Sequence, residues 1–109
     1  MIELNKIYKF FDIKYAPVFN FFGAWTNELI NCLKNLNRKC GIMRDFHGYE
    51  YEEDNTITFY DFTGGSEKSI NIELNDLIII LRPMIDDYLK INPNQSIEIE
   101  NLINEIQNL

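Results

Sequence analysis

Between Ile42 and Leu74 the chain reads as strand, turn, strand, turn, strand, and no other stretch narrows the possible folds so far. Ile42 to Tyr51 alternates loosely between apolar and polar residues. Thr56 to Phe62 is β-branched and aromatic, with Ile57 and Phe59 on one face and Tyr60 and Phe62 on the other. Ser69 to Leu74 alternates cleanly, placing Ile70, Ile72 and Leu74 inward and Ser69, Asn71 and Glu73 outward. Glu52-Glu53-Asp54-Asn55 links the first two segments, and Thr63-Gly64-Gly65-Ser66 is a hairpin signal between the second and third. The pattern predicts a three-stranded antiparallel meander, and a sheet this small needs a cover on at least one face.

The cover comes from both sides in sequence. Thr26 reads as the N-cap of a helix to about Asn37, with Leu29, Ile30, Leu33 and Leu36 on one face and Gly41 as its stop. Beyond the strands, Leu77, Leu81, Met84, Tyr88 and Ile91 follow helical spacing from Asn75 or Asp76, and Pro83 predicts a kink or restart. Asn92-Pro93-Asn94-Gln95 reads as N-cap, first-turn proline and capping-box Gln before a last helix carrying Ile99, Leu102, Ile103 and Ile106. Pro17 interrupts the chain ahead of Val18, Phe19, Phe21, Phe22 and Trp25, an apolar cluster expected in the core. Residues 1–16 fit either a short helix or a short extended run. The expected architecture is one α+β domain over residues 1–109, the meander carrying an N-terminal helix and two C-terminal helices packed on it.

Charge divides the chain. Residues 1–49 hold seven Lys or Arg against four Asp or Glu, a balance of +3, while residues 50–109 hold three against thirteen, a balance of −10. The net of −7 argues against nucleic acid as a direct partner, because phosphate binding needs basic side chains to release counterions. It favours a basic partner or none. The boundary falls in Gly48–Phe62, which interleaves three tyrosines and two phenylalanines with five carboxylates and has no basic residue. The longest strictly apolar run, Leu77 to Leu81, is far short of the ~20 residues of a membrane span. No basic stretch leads into a long apolar run at the start, so a signal peptide is not expected. Cys32 and Cys40 lack metal-ligand spacing and would lie ~12 Å apart along a continuous helix, so both read as reduced thiols of a cytoplasmic protein.

Catalytic and metal chemistry find little to work with. His47 is the sole histidine. The best metal grouping, Asp45 and His47 with Glu50 and Glu52, divides between the two faces of an extended segment. Glu50 and Asp61 could pair as general acid and base, but acidic strands offer such couples without a site. Gly64-Gly65 lacks the lysine and hydroxyl residue of a phosphate-binding loop, and no Ser or Cys stands in a nucleophile motif. Neither enzyme activity nor a cofactor or metal is expected. The acidic, aromatic stretch remains as a binding surface.

The helix Glu28-Leu29-Ile30-Asn31-Cys32-Leu33-Lys34, the strand Asn71-Ile72-Glu73-Leu74 leading to Asp76, and Asp87-Tyr88-Leu89-Lys90-Ile91-Asn92-Pro93 before the final helix together form a recognisable layout. It resembles the immunity proteins paired with ribonuclease toxins of bacterial contact-dependent growth inhibition systems. The resemblance covers most of residues 17–109 as a pattern of lengths and residue types, without a signature motif; Pro83 departs from it. It implies a cytoplasmic, non-enzymatic inhibitor that binds the basic ribonuclease domain at the end of a large secreted toxin and blocks its RNA-binding cleft. The family has no catalytic residues to carry over. The expected contacts are therefore the carboxylates of the acidic stretch, Glu50, Glu52, Glu53, Asp54 and Asp61, and Asp45 just before it, with Tyr49, Tyr51 and Tyr60 as anchors. The alternative is a small acidic adaptor domain with a non-toxin partner, or a dimer through the aromatic surface.

Overall fold

The computed structural model describes residues 10, 12–24 and 29–108. The expected N-cap at Thr26, the helix residue Glu28, Trp25 and the start of the chain up to residue 9 lie outside them. Asp12 opens the first element, a 3-10 turn at Ile13–Tyr15, its carboxylate accepting from the Lys14 backbone N–H at 3.2 Å. The chain passes directly into helix α1, Ala16–Ala24. Pro17 sits in the first turn, where a missing N–H costs no helical hydrogen bond. This proline therefore opens a helix rather than interrupting the chain.

Helix α2 is Leu29–Asn37, and it ends without help from Gly41. Lys39 adopts a left-handed φ of 57°, and the Cys40 N–H reaches back to the Asn35 carbonyl at 2.8 Å. Gly41 serves packing instead. A Cβ there would lie 2.2 Å from the backbone oxygen of Tyr49.

Four strands follow: β1, Ile42–Met43; β2, His47–Tyr51; β3, Thr56–Asp61; and β4, Lys68–Glu73. They form one antiparallel sheet in the order β1-β2-β3-β4. The α+β class holds, but the three-stranded meander becomes four-stranded. The segment Ile42–Tyr51 folds back on itself through a tight turn, the Arg44 N–H donating to the His47 carbonyl at 2.8 Å. At the β3–β4 hairpin Gly64 and Gly65 take φ of 81° and 82°, a conformation that favours glycine.

Helix α3 starts at Leu74 and runs unbroken through Pro83 to Ile91, so the expected restart does not occur. A 3-10 turn, Pro93–Gln95, leads to helix α4, Ser96–Gln107. The capping box expected there is absent. Asn92 donates its side-chain amide to the Tyr88 carbonyl at 3.3 Å, and the Gln95 side chain accepts from the Tyr88 hydroxyl at 2.6 Å. Helix α1 lies against β2, β3 and β4; α2 contacts α4, and α3 contacts α4 and β4. Val18, Phe21 and Phe22 of α1 meet Tyr49 and Phe59 of the sheet, where Phe21 stands edge-on to Tyr49 at 5.4 Å and to Phe59 at 5.8 Å. No helix among the described residues is long and apolar enough to cross a membrane.

Candidate interaction surface on the sheet

Strand parity decides which residues a partner can reach. On the face toward α1, register aligns Ile42, Tyr49, Phe59 and Ile70 across the four strands, and Ile57 with Ile72. The outward set is Met43, Glu50, Thr56, Thr58, Tyr60, Ser69, Asn71 and Glu73, all exposed or half-buried. These side chains bond to one another. The Asn71 amide donates to the Thr56 and Thr58 hydroxyls at 2.8 and 3.0 Å, and the Tyr60 hydroxyl to Glu50 Oε2 at 3.3 Å.

The acidic turn continues this face. Asn55 takes a left-handed φ of 59°, and its side-chain oxygen accepts from the Tyr51 hydroxyl at 2.9 Å. The Thr56 hydroxyl donates to Asp54 at 2.6 Å, and the Glu52 N–H closes the turn onto the Thr56 carbonyl at 2.8 Å. Among the described residues no ion pair engages Glu50, Glu52, Glu53, Asp54 or Glu73. A shallow recess runs from Glu52, Glu53 and Asp54 across Thr56 to Asn71, and a second lies between Asp54, Glu73 and the end of α4 at Ile106 and Gln107. Burial, together with the carboxylates of Glu50, Glu52 and Glu67, pushes the Tyr60 phenol above its ordinary pKa; burial alone raises Tyr51.

Two of the expected contacts, Tyr49 and Asp61, need correction, and a third, Asp45, stands apart from the rest. Tyr49 is fully buried in the aromatic core beneath α1, its hydroxyl 3.5 Å from the Cys32 carbonyl. Asp61 is also buried, with only 2% of its surface exposed. Its carboxylate accepts from the Thr63 N–H at 2.9 Å, the Thr63 hydroxyl at 2.5 Å and the Asn20 amide at 2.7 Å, with His47 Nε2 at 3.7 Å. Burial pushes its pKa up, but these hydrogen bonds and the nearby histidine outweigh it and hold the group at about 2. Asp61 therefore ties the β3–β4 turn to α1. Asp45 is exposed but sits at the opposite end of β2 from the acidic turn, ~17 Å away at ~3.3 Å per residue.

Glu50, Glu52, Glu53, Asp54 and Tyr60 do share one surface with each other, while Tyr51 is half-buried and holds the turn through its hydroxyl. The surface also takes in Thr56, Thr58, Asn71 and Glu73, whose outward positions follow from period two in β3 and β4. At its far end Met43, Phe46 and Phe62 are exposed, with Phe62 stacked on Tyr60 at 6.2 Å. Glu50 and Asp61 lie on opposite faces of the sheet and cannot act together on one substrate. Among the described residues no three His, Cys, Asp or Glu side chains gather as a metal site. No family model, curated protein or solved structure matches the chain.

Proposed function

We propose that this chain is an immunity protein that binds the basic ribonuclease domain of a cognate contact-dependent growth inhibition toxin. It would cover the RNA-binding cleft with the outer face of its sheet and the adjoining acidic turn. One observation carries the reading: Glu50, Glu52, Glu53, Asp54 and Glu73 project from one side of the sheet without a basic partner among the described residues. A groove that holds RNA must be basic, and carboxylates spaced along a rigid turn can take the places of phosphates. Tyr60 supplies the rigid amphipathic contact area common at protein interfaces. The layout of helix, sheet and helical C-terminus described for the resemblance supports the same conclusion.

The decisive test is co-expression with the cognate toxin domain, which this reading expects as a small basic domain ending a large secreted protein encoded by the neighbouring gene. The expected outcome is a stable complex and rescue of growth. A variant with Glu50, Glu52, Glu53 and Asp54 all changed to Lys should associate at least ~10-fold more slowly at low salt. Rescue and association equal to wild type would place the contact elsewhere; absence of any complex with the wild-type chain would remove the toxin reading.

A second reading rests on a different observation. Met43, Phe46 and Phe62 are 51%, 59% and 37% exposed at one corner of the sheet. A dimer, or an adaptor contact with a non-toxin partner, would cover them. Sedimentation of the chain alone separates these cases: a dimer dissociated by Phe46→Ser supports self-association, and a concentration-independent monomer excludes it.

A further inference from the structure

The pairing register states which main-chain groups of β4 face outward along the sheet. Glu52 donates to the Thr56 carbonyl and Phe62 to the Phe46 carbonyl, so the even-numbered residues of β3 bond toward β2. Ile57, Phe59 and Asp61 therefore bond toward β4, pairing with Ile72, Ile70 and Lys68. The Leu74 N–H, which reaches the Asn55 carbonyl at 3.2 Å, continues that parity. What remains is a row on the open side: the N–H and C=O of Ser69 and Asn71, and the N–H of Glu73, whose carbonyl starts α3. All three residues are exposed, and no other backbone group of the described residues bonds to this row.

Sheets usually blunt such an edge with a proline, a bulge or a central lysine. β4 has none of these within its register; Lys68 stands at one end. We infer that β4 accepts an extended segment of a protein partner as a fifth strand, and that this segment alternates basic and apolar residues. On the outer side its basic side chains would meet Glu73 and reach over Asn71 into the recess shared with Glu52, Glu53 and Asp54. On the inner side its apolar residues would cover the half-buried Ile70 and extend the core by one strand. Main-chain bonds supply the affinity and charge selects the sequence. The inference deepens the proposed function by stating the form and chemistry of the partner's contact, and depends on that reading only for the partner's identity.

The test uses the full chain and a short capped peptide of alternating lysine and valine, with a glutamate–valine peptide as control. In amide hydrogen exchange the lysine peptide should slow Ser69, Asn71 and Glu73 by at least ~10-fold, and the glutamate peptide should not. Ser69→Pro removes an outward N–H without touching the ladder. It should keep the wild-type melting temperature and lose the protection. Unchanged exchange at the three amides, or equal protection by both peptides, overturns the inference, whatever the proline variant does. Edge protection without a toxin complex would retain this strand site and remove the toxin reading; a toxin complex that leaves these amides unprotected would do the reverse.

Discussion

Asp61 shows how far one side chain can depart from its expected role. Three donors converge on its carboxylate, and replacing it by Asn would turn an N–H₂ group toward at least one of them. Asp61→Asn should cost about 1–3 kcal/mol in urea unfolding at neutral pH. The pH dependence has a definite sign. A carboxylate held at about 2 against an ordinary 3.8 stabilises the fold fully above the ordinary value, and that contribution fades as pH falls from there toward 2. The stability gap between wild type and Asp61→Asn should therefore be wide at pH ~5 and narrow below pH ~2.5. A gap that stays constant would show the charge to be irrelevant. Asp61 could be placed from period two alone, since it shares parity with Ile57 and Phe59. Its type argued for the surface, because buried carboxylates are rare unless paired. For Tyr49 the parity itself was hidden, because the turn at Arg44–His47 falls inside what reads as one loosely alternating run.

At the level of elements, β3, β4, α3 and α4 were legible because each carries an uninterrupted period of two or near 3.6. β1 was not, being two residues long with no pattern of its own. Helix α1 was concealed by Pro17, which reads as an interruption, although Val18, Phe21 and Phe22 already stand at helical spacing. Gly41 tests the β1–β2 hairpin. A Cβ there meets backbone, which cannot rotate away, so Gly41→Ala should lower stability by about 2 kcal/mol or more in a thermal melt. Pro83 tests α3. It leaves the Ile79 carbonyl without its helical donor, so Pro83→Ala should raise stability by about 1–3 kcal/mol while leaving the far-ultraviolet dichroism helical.

For the whole molecule, the carboxylates behind the −10 balance of residues 50–109, the buried Asp61 apart, lie on the open side of the sheet, in its turns, and along α3 and α4. Long-range steering scales with such a field and is screened within ~10 Å at 0.1 M salt. Association with a basic partner should therefore slow steeply as salt rises. Reversing Glu50, Glu52, Glu53 and Asp54 adds two charges at each position and takes the net from −7 to +1, which should flatten that slope in stopped-flow measurements. The existence of an acidic surface was legible in composition. Its boundary was not, because membership depends on which way each strand residue points. The alternation in β3 has a consequence for how such a surface can change over generations. Ile57, Phe59 and Asp61 maintain the fold from one side, while Thr56, Thr58 and Tyr60 are displayed on the other. A library randomised at those last three positions, with Glu50 and Ser69, should express largely folded and vary mainly in whom it binds. Specificity can then drift while the architecture stays put.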